Sequence, residues 1–262
     1  MAEPTPHLFR PAVEELTPYQ PGKPVEDVQR ELGLERIVKL ASNEGPFGPL
    51  PAARRAIERS VDELNRYPDG GAYRLRAALA ERHDVRFEQV ALGAGADGVA
   101  EYLKAGHRVV VLRTFSKIFG LAGLRVGYAL APPAVVTALG KVRRAFDITT
   151  PAQEAALASL GDPEEIERRR LENSVQRTEV ERILREHGLE PAGPAVANFL
   201  YCDLGEDSRP LFEQLLREGV IVRPTHGFGG PTAIRVTVGT AVENAFLADA
   251  LDRVPATAAR AG

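Results

Sequence analysis

A glycine-rich turn is the feature that most restricts how this chain can fold. The pattern G-x-G-x-x-G is formed by Gly93, Gly95 and Gly98. It follows a short apolar run at residues 90–92 and opens a helical stretch at 97–104. A turn of this kind joins a strand to a helix and points backbone N–H groups and the positive helix end at a phosphate. Because a second apolar run follows at 109–112, the segment predicts a β-α-β unit and an α/β protein.

The composition excludes several classes of protein. The 262 residues are 44% hydrophobic and 26% charged, as in a soluble globular chain rather than a disordered or fibrous one. A net charge of -3 gives no basis for a nucleic-acid partner or an acidic membrane. A single cysteine, Cys202, favours a reducing, cytoplasmic setting. We expect no signal peptide, because residues 1–7 show neither a basic nor an apolar segment. We expect no membrane span, because the best apolar stretch, 121–140, is interrupted by Arg125 and by two prolines. We also expect no metal site.

Apolar periodicity and capping signals predict the other elements. The predicted helices cover residues 50–64, 72–83, 97–104, 133–144, 162–187 and 210–218, and the predicted strands cover 90–92, 109–112, 126–130, 196–203 and 234–238. Asp162 is predicted to cap the long helix, and Thr240 with Glu243 to cap the last one. The proline-rich residues 1–35 are predicted to form an extended arm that docks on another surface, often a second subunit.

The segment from Thr114 to Tyr128 carries the chemistry. Lys117 lies between Phe115 and Phe119, ahead of a glycine-rich loop that ends at Arg125. Partial burial and a neighbouring cation both disfavour the ammonium form, so the pKa of Lys117 should fall. A neutral amine is the form that condenses with an aldehyde. Taken alone, the same lysine could be an ordinary surface residue.

This segment resembles, almost residue for residue, the cofactor-lysine segment of pyridoxal-phosphate aminotransferases of the histidinol-phosphate aminotransferase family. The resemblance implies a fold-type-I α/β architecture and pyridoxal 5'-phosphate as cofactor. It also implies that Lys117 forms the internal aldimine and that Ser116 and Arg125 hold the cofactor phosphate. Backbone donors to that phosphate would come from the turn at Ala96 and Asp97.

The resemblance extends to five more residues, Tyr19, Asn43, Tyr67, Arg223 and Arg235. It implies that Tyr67 reaches the cofactor phosphate of a partner subunit, and hence a homodimer. The other four would contact the substrate. The two arginines would grip its anionic end, since a planar guanidinium binds phosphate or carboxylate bidentately.

A stretch of the family's large domain is absent. The family places several β-α-β units between the phosphate turn and the lysine, but here Asp97 and Lys117 are 20 positions apart. At ~30 residues a unit, roughly a hundred residues are missing, with the seam near 104–107. The resemblance therefore divides the chain into an arm, a remnant of the cofactor-binding domain, and a linker helix with a small C-terminal α/β domain, at residues 1–35, 36–150 and 151–262.

The missing stretch carries three groups in the family. These are an asparagine that contacts the cofactor, an aspartate that pairs with the pyridine nitrogen, and an aromatic residue that stacks on the ring. Losing one charge-assisted hydrogen bond alone costs ~10- to 150-fold in affinity, so we expect slow transamination. The strands 90–92, 126–130 and 109–112 should still lie side by side, with an exposed apolar edge at 109–112 that promotes self-association.

The resemblance implies amino transfer between glutamate and 2-oxoglutarate on one side and histidinol phosphate or an aromatic amino acid on the other, in histidine biosynthesis. Two arginines favour the phosphate ester, and a decarboxylase of a phosphorylated amino acid stays open. An alternative is an NADP-binding oxidoreductase, in which the glycine turn binds a dinucleotide and Arg113 its 2′-phosphate. A further alternative is a non-catalytic remnant.

Overall fold

The structure, a computed structural model, describes residues 22–93 and 105–254 as an α/β protein with two main hydrophobic cores. The helices are α1 (Val25–Leu32), α2 (Pro51–Ser60), α3 (Tyr73–His83), α4 (Pro133–Val142), α5 (Thr150–Leu160), α6 (Pro163–Glu186), α7 (Arg209–Arg217) and α8 (Ala241–Arg253). The strands are β1 (Val38–Lys39), β2 (Val90–Gly93), β3 (Val111–Thr114), β4 (Gly127–Leu130), β5 (Phe199–Asp203), β6 (Val220–Ile221), β7 (Arg223–Thr225) and β8 (Gly230–Thr237). Within these ranges, no helix is both long and apolar enough to cross a bilayer.

The first core lies around a three-stranded sheet with the order β2-β4-β3. Strand β4 runs antiparallel to both neighbours, so the three strands lie side by side as the sequence predicts. Phe115 is fully buried in this core, and the buried alanines Ala53 of α2 and Ala152 of α5 belong to it. Helix α5 has no separate sequence prediction, because its alanine-rich pattern carries a weak apolar period.

Strand β3 begins two residues later than the sequence predicts. Val109 and Val110 extend the apolar run, but the ladder with β4 pairs only Val111 with Leu130 through Thr114 with Gly127. Strand propensity therefore identifies the run, whereas the length of the neighbouring strand sets where pairing starts.

The second core lies around the antiparallel sheet β5-β8-β7. Helix α6 packs against β5, and α8 packs against α6, β1 and β6. Strand β1 pairs in parallel with β6, and Leu40 bonds both Ile221 and Thr237 through its backbone. This pairing joins residues 38–40 to the second core, although the sequence groups them with the first. The domain boundaries at 35/36 and 150/151 stay a prediction.

Helix α6 bridges the two cores. Near its start Ile166 packs against the first core, while Val180 and Leu184 lie in the second. The helix begins as predicted: the Asp162 side chain accepts from the backbone N–H of Glu165 at 3.2 Å. The predicted capping box of Thr240 and Glu243 is also present at the start of α8.

The predicted extended arm is wrong for residues 25–32, which form α1. Six prolines precede or begin this stretch, but the eight residues between Pro24 and Gly33 contain none. Pro24 occupies the N-cap, and Gly33 ends the helix in the left-handed conformation. Residues 1–21 of the arm and the predicted helix at 97–104 lie outside the described residues.

The free edge of β3 leads to a prediction about association. In the described part of the chain β3 is an edge strand, and Val110 and Leu112 are 47% and 40% exposed. An apolar edge of this kind promotes strand pairing between chains. We expect the double variant Val110→Lys with Leu112→Lys to form smaller assemblies than the unmodified chain in multi-angle light scattering.

The matched control is Val175→Lys, because Val175 is 63% exposed but lies on a helix rather than on a sheet edge. It should leave the assembly size unchanged. The same mass for the unmodified chain and the edge variant would show that the edge does not mediate association.

Candidate active site

Lys117 lies three residues after the end of β3, in a turn that local side chains stabilise. The Thr114 hydroxyl accepts the backbone N–H of Ser116 at 3.0 Å, which bends the chain at the strand end. Phe115 anchors the turn in the first core and stacks obliquely on Phe119, with ring centroids 4.7 Å apart. Lys117 is thereby turned towards residues 42–49, and its Nζ donates to the carbonyl of Ser42 at 3.4 Å.

The surroundings of Lys117 lower the pKa of its amine, as the sequence predicts. Burial is the largest cause, because it disfavours the charged form. Arg235 and Arg125 lower the pKa further, while Glu44 acts in the opposite direction. This environment favours a neutral, nucleophilic amine, although the catalytic role of Lys117 stays a prediction.

Two glycines allow residues 42–49 to lie directly against the lysine turn. A Cβ at Gly45 would be 2.7 Å from the carbonyl oxygen of Lys117. Gly120 has a φ of +67°, and a Cβ there would overlap the carbonyl of Gly48. Both positions require glycine for close backbone approach, and Gly120 requires it for its conformation as well.

Asn43 lies inside this contact region, in the left-handed conformation with a φ of +58°. Its backbone N–H donates to the Thr237 hydroxyl, which in turn donates to the Asn43 Oδ1, both at 3.0 Å. Its carbonyl accepts from Asn198 at 2.9 Å. Asn43 therefore joins the lysine loop to the second sheet; its contact with substrate stays a prediction.

The two predicted substrate arginines lie opposite each other on adjacent strands. Arg223 of β7 pairs with Arg235 of β8 in the ladder, and Tyr201 of β5 pairs with Arg235 on its other side. The three side chains therefore form a row across one face of the sheet. Arg235 also donates to the carbonyl of Ala41 at 3.0 Å. Like charges directly opposite each other destabilise a sheet, and a bound anion would relieve that repulsion.

The predicted phosphate-binding residues flank the lysine. Ser116 is buried. Arg125 is exposed, has a φ of +52° at the end of a short 3₁₀ turn, and donates to the carbonyl of Ala122 at 2.8 Å. A left-handed arginine is uncommon and such strain concentrates at functional sites. The backbone donors at Ala96 and Asp97 lie outside the described residues, as does Tyr19.

Tyr67 is separate from this group. It is 83% exposed and stacks on Phe146 with ring centroids 4.7 Å apart. Its side chain is therefore accessible at the surface of this chain.

A cavity of about 470 Å³ opens beside Lys117, between the two cores. Its lining comes from residues 45–47, from the lysine turn, from α6 and from residues 196–198 and 238–239. The cationic side chains that line it are Arg82, Arg113, Lys117, Arg169 and Arg170. Among the described lining residues, Glu172 is the one carboxylate, so the cavity suits an anionic ligand.

Sequence reasoning missed the contribution of α6, above all Arg169. This side chain is only 6% exposed, and it donates to Glu165 and to the carbonyls of Gly48 and Ile118. Arg169 is the second of three consecutive arginines. The pattern does not reveal which of the three turns inward.

Comparisons with known proteins find aminotransferases. The family described as "Aminotransferase class I and II" matches residues 97–254. Histidinol-phosphate aminotransferase 2 of Pseudomonas fluorescens is 33% identical, over 94% of this chain and 97% of its own length. The histidinol-phosphate aminotransferase of Akkermansia muciniphila is 34% identical, over 92% of this chain and 97% of its own.

A solved structure supports the fold. The histidinol-phosphate aminotransferase of Sinorhizobium meliloti, in complex with pyridoxal-5'-phosphate, superposes with a TM-score of 0.79 at 20% identity. The superposition covers 95% of this chain and 97% of that one. A fold-type-I α/β architecture is thus confirmed, and these matches do not favour an oxidoreductase or a non-catalytic remnant.

The comparisons also confirm the internal gap. The alignment with the Pseudomonas relative runs over 360 positions and spans 97% of that protein, whereas this chain has 262 residues. At least 98 positions, the difference between these two lengths, therefore have no counterpart here. Because both ends of the relative are matched, the gap is internal; its seam at 104–107 stays a prediction.

Proposed function

Because the chain belongs to the class I and II aminotransferases, which depend on pyridoxal phosphate, we propose that it transfers an amino group from a phosphate ester of the histidinol-phosphate type to 2-oxoglutarate. The proposal names Lys117 as the cofactor-binding residue and the product pair as glutamate and a phosphorylated carbonyl compound. It also assigns the chain to a cytoplasmic homodimer.

The observation that carries the proposal is the placement of Arg223 opposite Arg235, with Arg235 close enough to Lys117 to lower the pKa of its amine. An anion between the two arginines would lie within electrostatic range of the reactive amine. The names of the similar proteins support histidinol phosphate as that anion's source. A guanidinium pair favours a phosphate ester over an uncharged aromatic side chain.

The residues around Lys117 fit pyridoxal 5'-phosphate. A partly buried amine of lowered pKa suits the aldehyde carbon, and the cationic surroundings suit the phosphate. Ser116 and Arg125 would hold that phosphate together with the turn at Ala96 and Asp97. When bound, the cofactor supplies an electron sink for the carbanion at the substrate's α-carbon.

The chain's own residues then have distinct tasks. Nζ of Lys117 would hold the cofactor before the substrate binds. With the substrate in place, Nζ would accept the proton from the substrate's α-carbon as a general base and then donate it as a general acid. Arg223 and Arg235 hold the anionic end of the substrate and so fix its orientation.

The gap reduces the efficiency that we propose. The family's pyridine-pairing aspartate belongs to the missing stretch, and Glu172 is the one carboxylate among the described cavity residues. Without that partner, transition-state stabilisation is weaker. We therefore propose slow turnover with the substrate preference of the family.

The homodimer rests on Tyr67. An aromatic side chain that is 83% exposed beside the first core can reach a second subunit. We propose that it contributes its hydroxyl to the partner's cofactor phosphate.

The substrate assignment can be tested with three amino donors. In the presence of pyridoxal phosphate and 2-oxoglutarate, we expect glutamate formation with histidinol phosphate to exceed that with histidinol or phenylalanine. Arg235→Gln removes a charge-assisted contact worth ~1.5–3 kcal/mol and should raise KM for the phosphate ester ~10- to 150-fold. It should change KM for histidinol little.

Arg217→Gln is the control, because Arg217 is exposed at the last position of α7 and is not among the described residues that line the cavity. It should leave both constants unchanged. No glutamate formation with any donor would contradict the proposed activity.

A further inference from the structure

Arg169 makes contacts that the cofactor chemistry does not account for. Its neighbours Arg168 and Arg170 on α6 have side chains 55% and 62% exposed, whereas that of Arg169 is 6% exposed. One of its terminal nitrogens, Nη1, donates to the carbonyl of Gly48 at 2.9 Å and to the carbonyl of Ile118 at 3.1 Å. The buried guanidinium therefore joins two backbone segments that are far apart in sequence, one at Gly48 and one at Ile118.

The two segments that Arg169 joins are the ones that hold Lys117. Ile118 is the residue after the lysine, and Gly48 ends the loop that begins at Ser42, whose carbonyl receives Lys117 Nζ. Gly120 donates its N–H to the Lys117 carbonyl at 3.0 Å. The same guanidinium thus bonds the residue that follows Lys117 and the loop that contains the acceptor of the lysine amine.

Glu165 keeps the guanidinium in this orientation. Glu165 lies one turn before Arg169 on α6, and its Oε1 accepts from Arg169 Nε at 2.7 Å. The same carboxylate accepts from Arg168, and hydrogen bonds from these two arginines lower the pKa of Glu165 to about 2. The carboxylate therefore stays ionised at neutral and alkaline pH, and the pair neutralises a charge that would be costly to bury alone.

We propose that Arg169 is a positioning residue that holds Lys117 in its partly buried, reactive setting by linking Gly48 to Ile118. The inference rests on the proposed role of Lys117 as the reacting amine. Because α6 spans both cores, the link also sets how closely the second core approaches the lysine turn. Without it, the two segments separate and water reaches Nζ.

The test measures the reactivity of Lys117 in the unliganded chain. Each lysine is labelled competitively with trace acetic anhydride across a neutral-to-alkaline pH series, and the peptides are quantified by mass spectrometry. In Arg169→Met we expect the labelling profile of Lys117 to move to higher pH, with several-fold slower labelling at a fixed near-neutral pH. Lys141, exposed on α4, is the internal reference and should not change.

Three further variants make the result specific. Arg168→Met removes the exposed neighbour that shares Glu165 and should leave the Lys117 profile unchanged. Arg169→Lys restores one donor group and should recover part of it. Glu165→Gln leaves Arg169 in place but removes the carboxylate that orients it, and should shift the Lys117 profile by less than Arg169→Met does. If Arg169→Met does not fold, the Glu165→Gln profile tests the proposal.

A Lys117 profile unchanged in both Arg169→Met and Glu165→Gln would overturn the proposal, whatever their stability in thermal unfolding. The proposed function fails differently: in that case the unmodified chain forms no pyridoxal phosphate adduct on Lys117, whereas the labelling profiles still respond to Arg169.

Discussion

Lys117→Ala is expected to abolish the covalent adduct that the unmodified chain forms with pyridoxal phosphate. We propose that the neutral amine at Nζ is the group that attacks the aldehyde carbon, and alanine has no nucleophile. After borohydride reduction, mass spectrometry should find the adduct on the peptide containing residue 117 in the unmodified chain and not in the variant. The visible absorbance of the mixture should be lost as well.

The pH dependence of this adduct has a defined sign. Because burial and nearby arginines lower the pKa of Lys117, its neutral form persists to lower pH than that of an ordinary lysine. Adduct formation should therefore begin to decline at a lower pH than it does for an ordinary lysine. Lys141→Ala should behave like the unmodified chain, and an adduct spread evenly over all lysines would contradict a special role for Lys117.

Gly120→Ala is expected to cause a large loss of stability. Its φ of +67° disfavours any side chain, and the new Cβ would overlap the carbonyl of Gly48 and lie 2.8 Å from that of Phe47. The left-handed conformation and the overpacking together should reduce the free energy of unfolding by about 2–4 kcal/mol. Urea unfolding followed by circular dichroism measures this directly.

Gly123→Ala is the matched control in the same loop. A Cβ there meets nothing within 4 Å, so its unfolding midpoint should stay close to that of the unmodified chain. Equal midpoints for the two alanine variants would show that the lysine turn and residues 42–49 do not pack as closely as described.

Much of the fold follows from local sequence. The caps at Asp162 and Thr240 use side chains that bond to backbone groups three residues away, so the short-range pattern predicts them correctly. The side-by-side order of β2, β4 and β3 followed from the family resemblance, and it was confirmed despite the loss of about a hundred residues. The start of β3 was predicted wrongly, because the pairing with β4 decides where the strand begins. Helix α1 was missed although Pro24 and Gly33 mark its two ends in the sequence.

The candidate site divides in the same way. The segment around Lys117 is contiguous, so its glycines and aromatic residues could be recognised from the sequence. The lowered pKa of Lys117 was expected from Phe115, Phe119 and Arg125. The structure adds Ser42, Glu44 and Arg235 to its environment, and these three residues are distant from it in sequence.

The order of residues by itself thus indicated a lysine of lowered pKa in a glycine-rich turn, and the helices and strands of an α/β chain with an internal stretch removed. Only the tertiary structure decided which of three consecutive arginines is buried and that Arg223 faces Arg235. Local hydrogen bonds and side-chain sterics act over a few residues and can therefore be predicted from the sequence. Burial, register and long-range electrostatics depend on which distant segments meet, and this is settled when the two cores pack around α6.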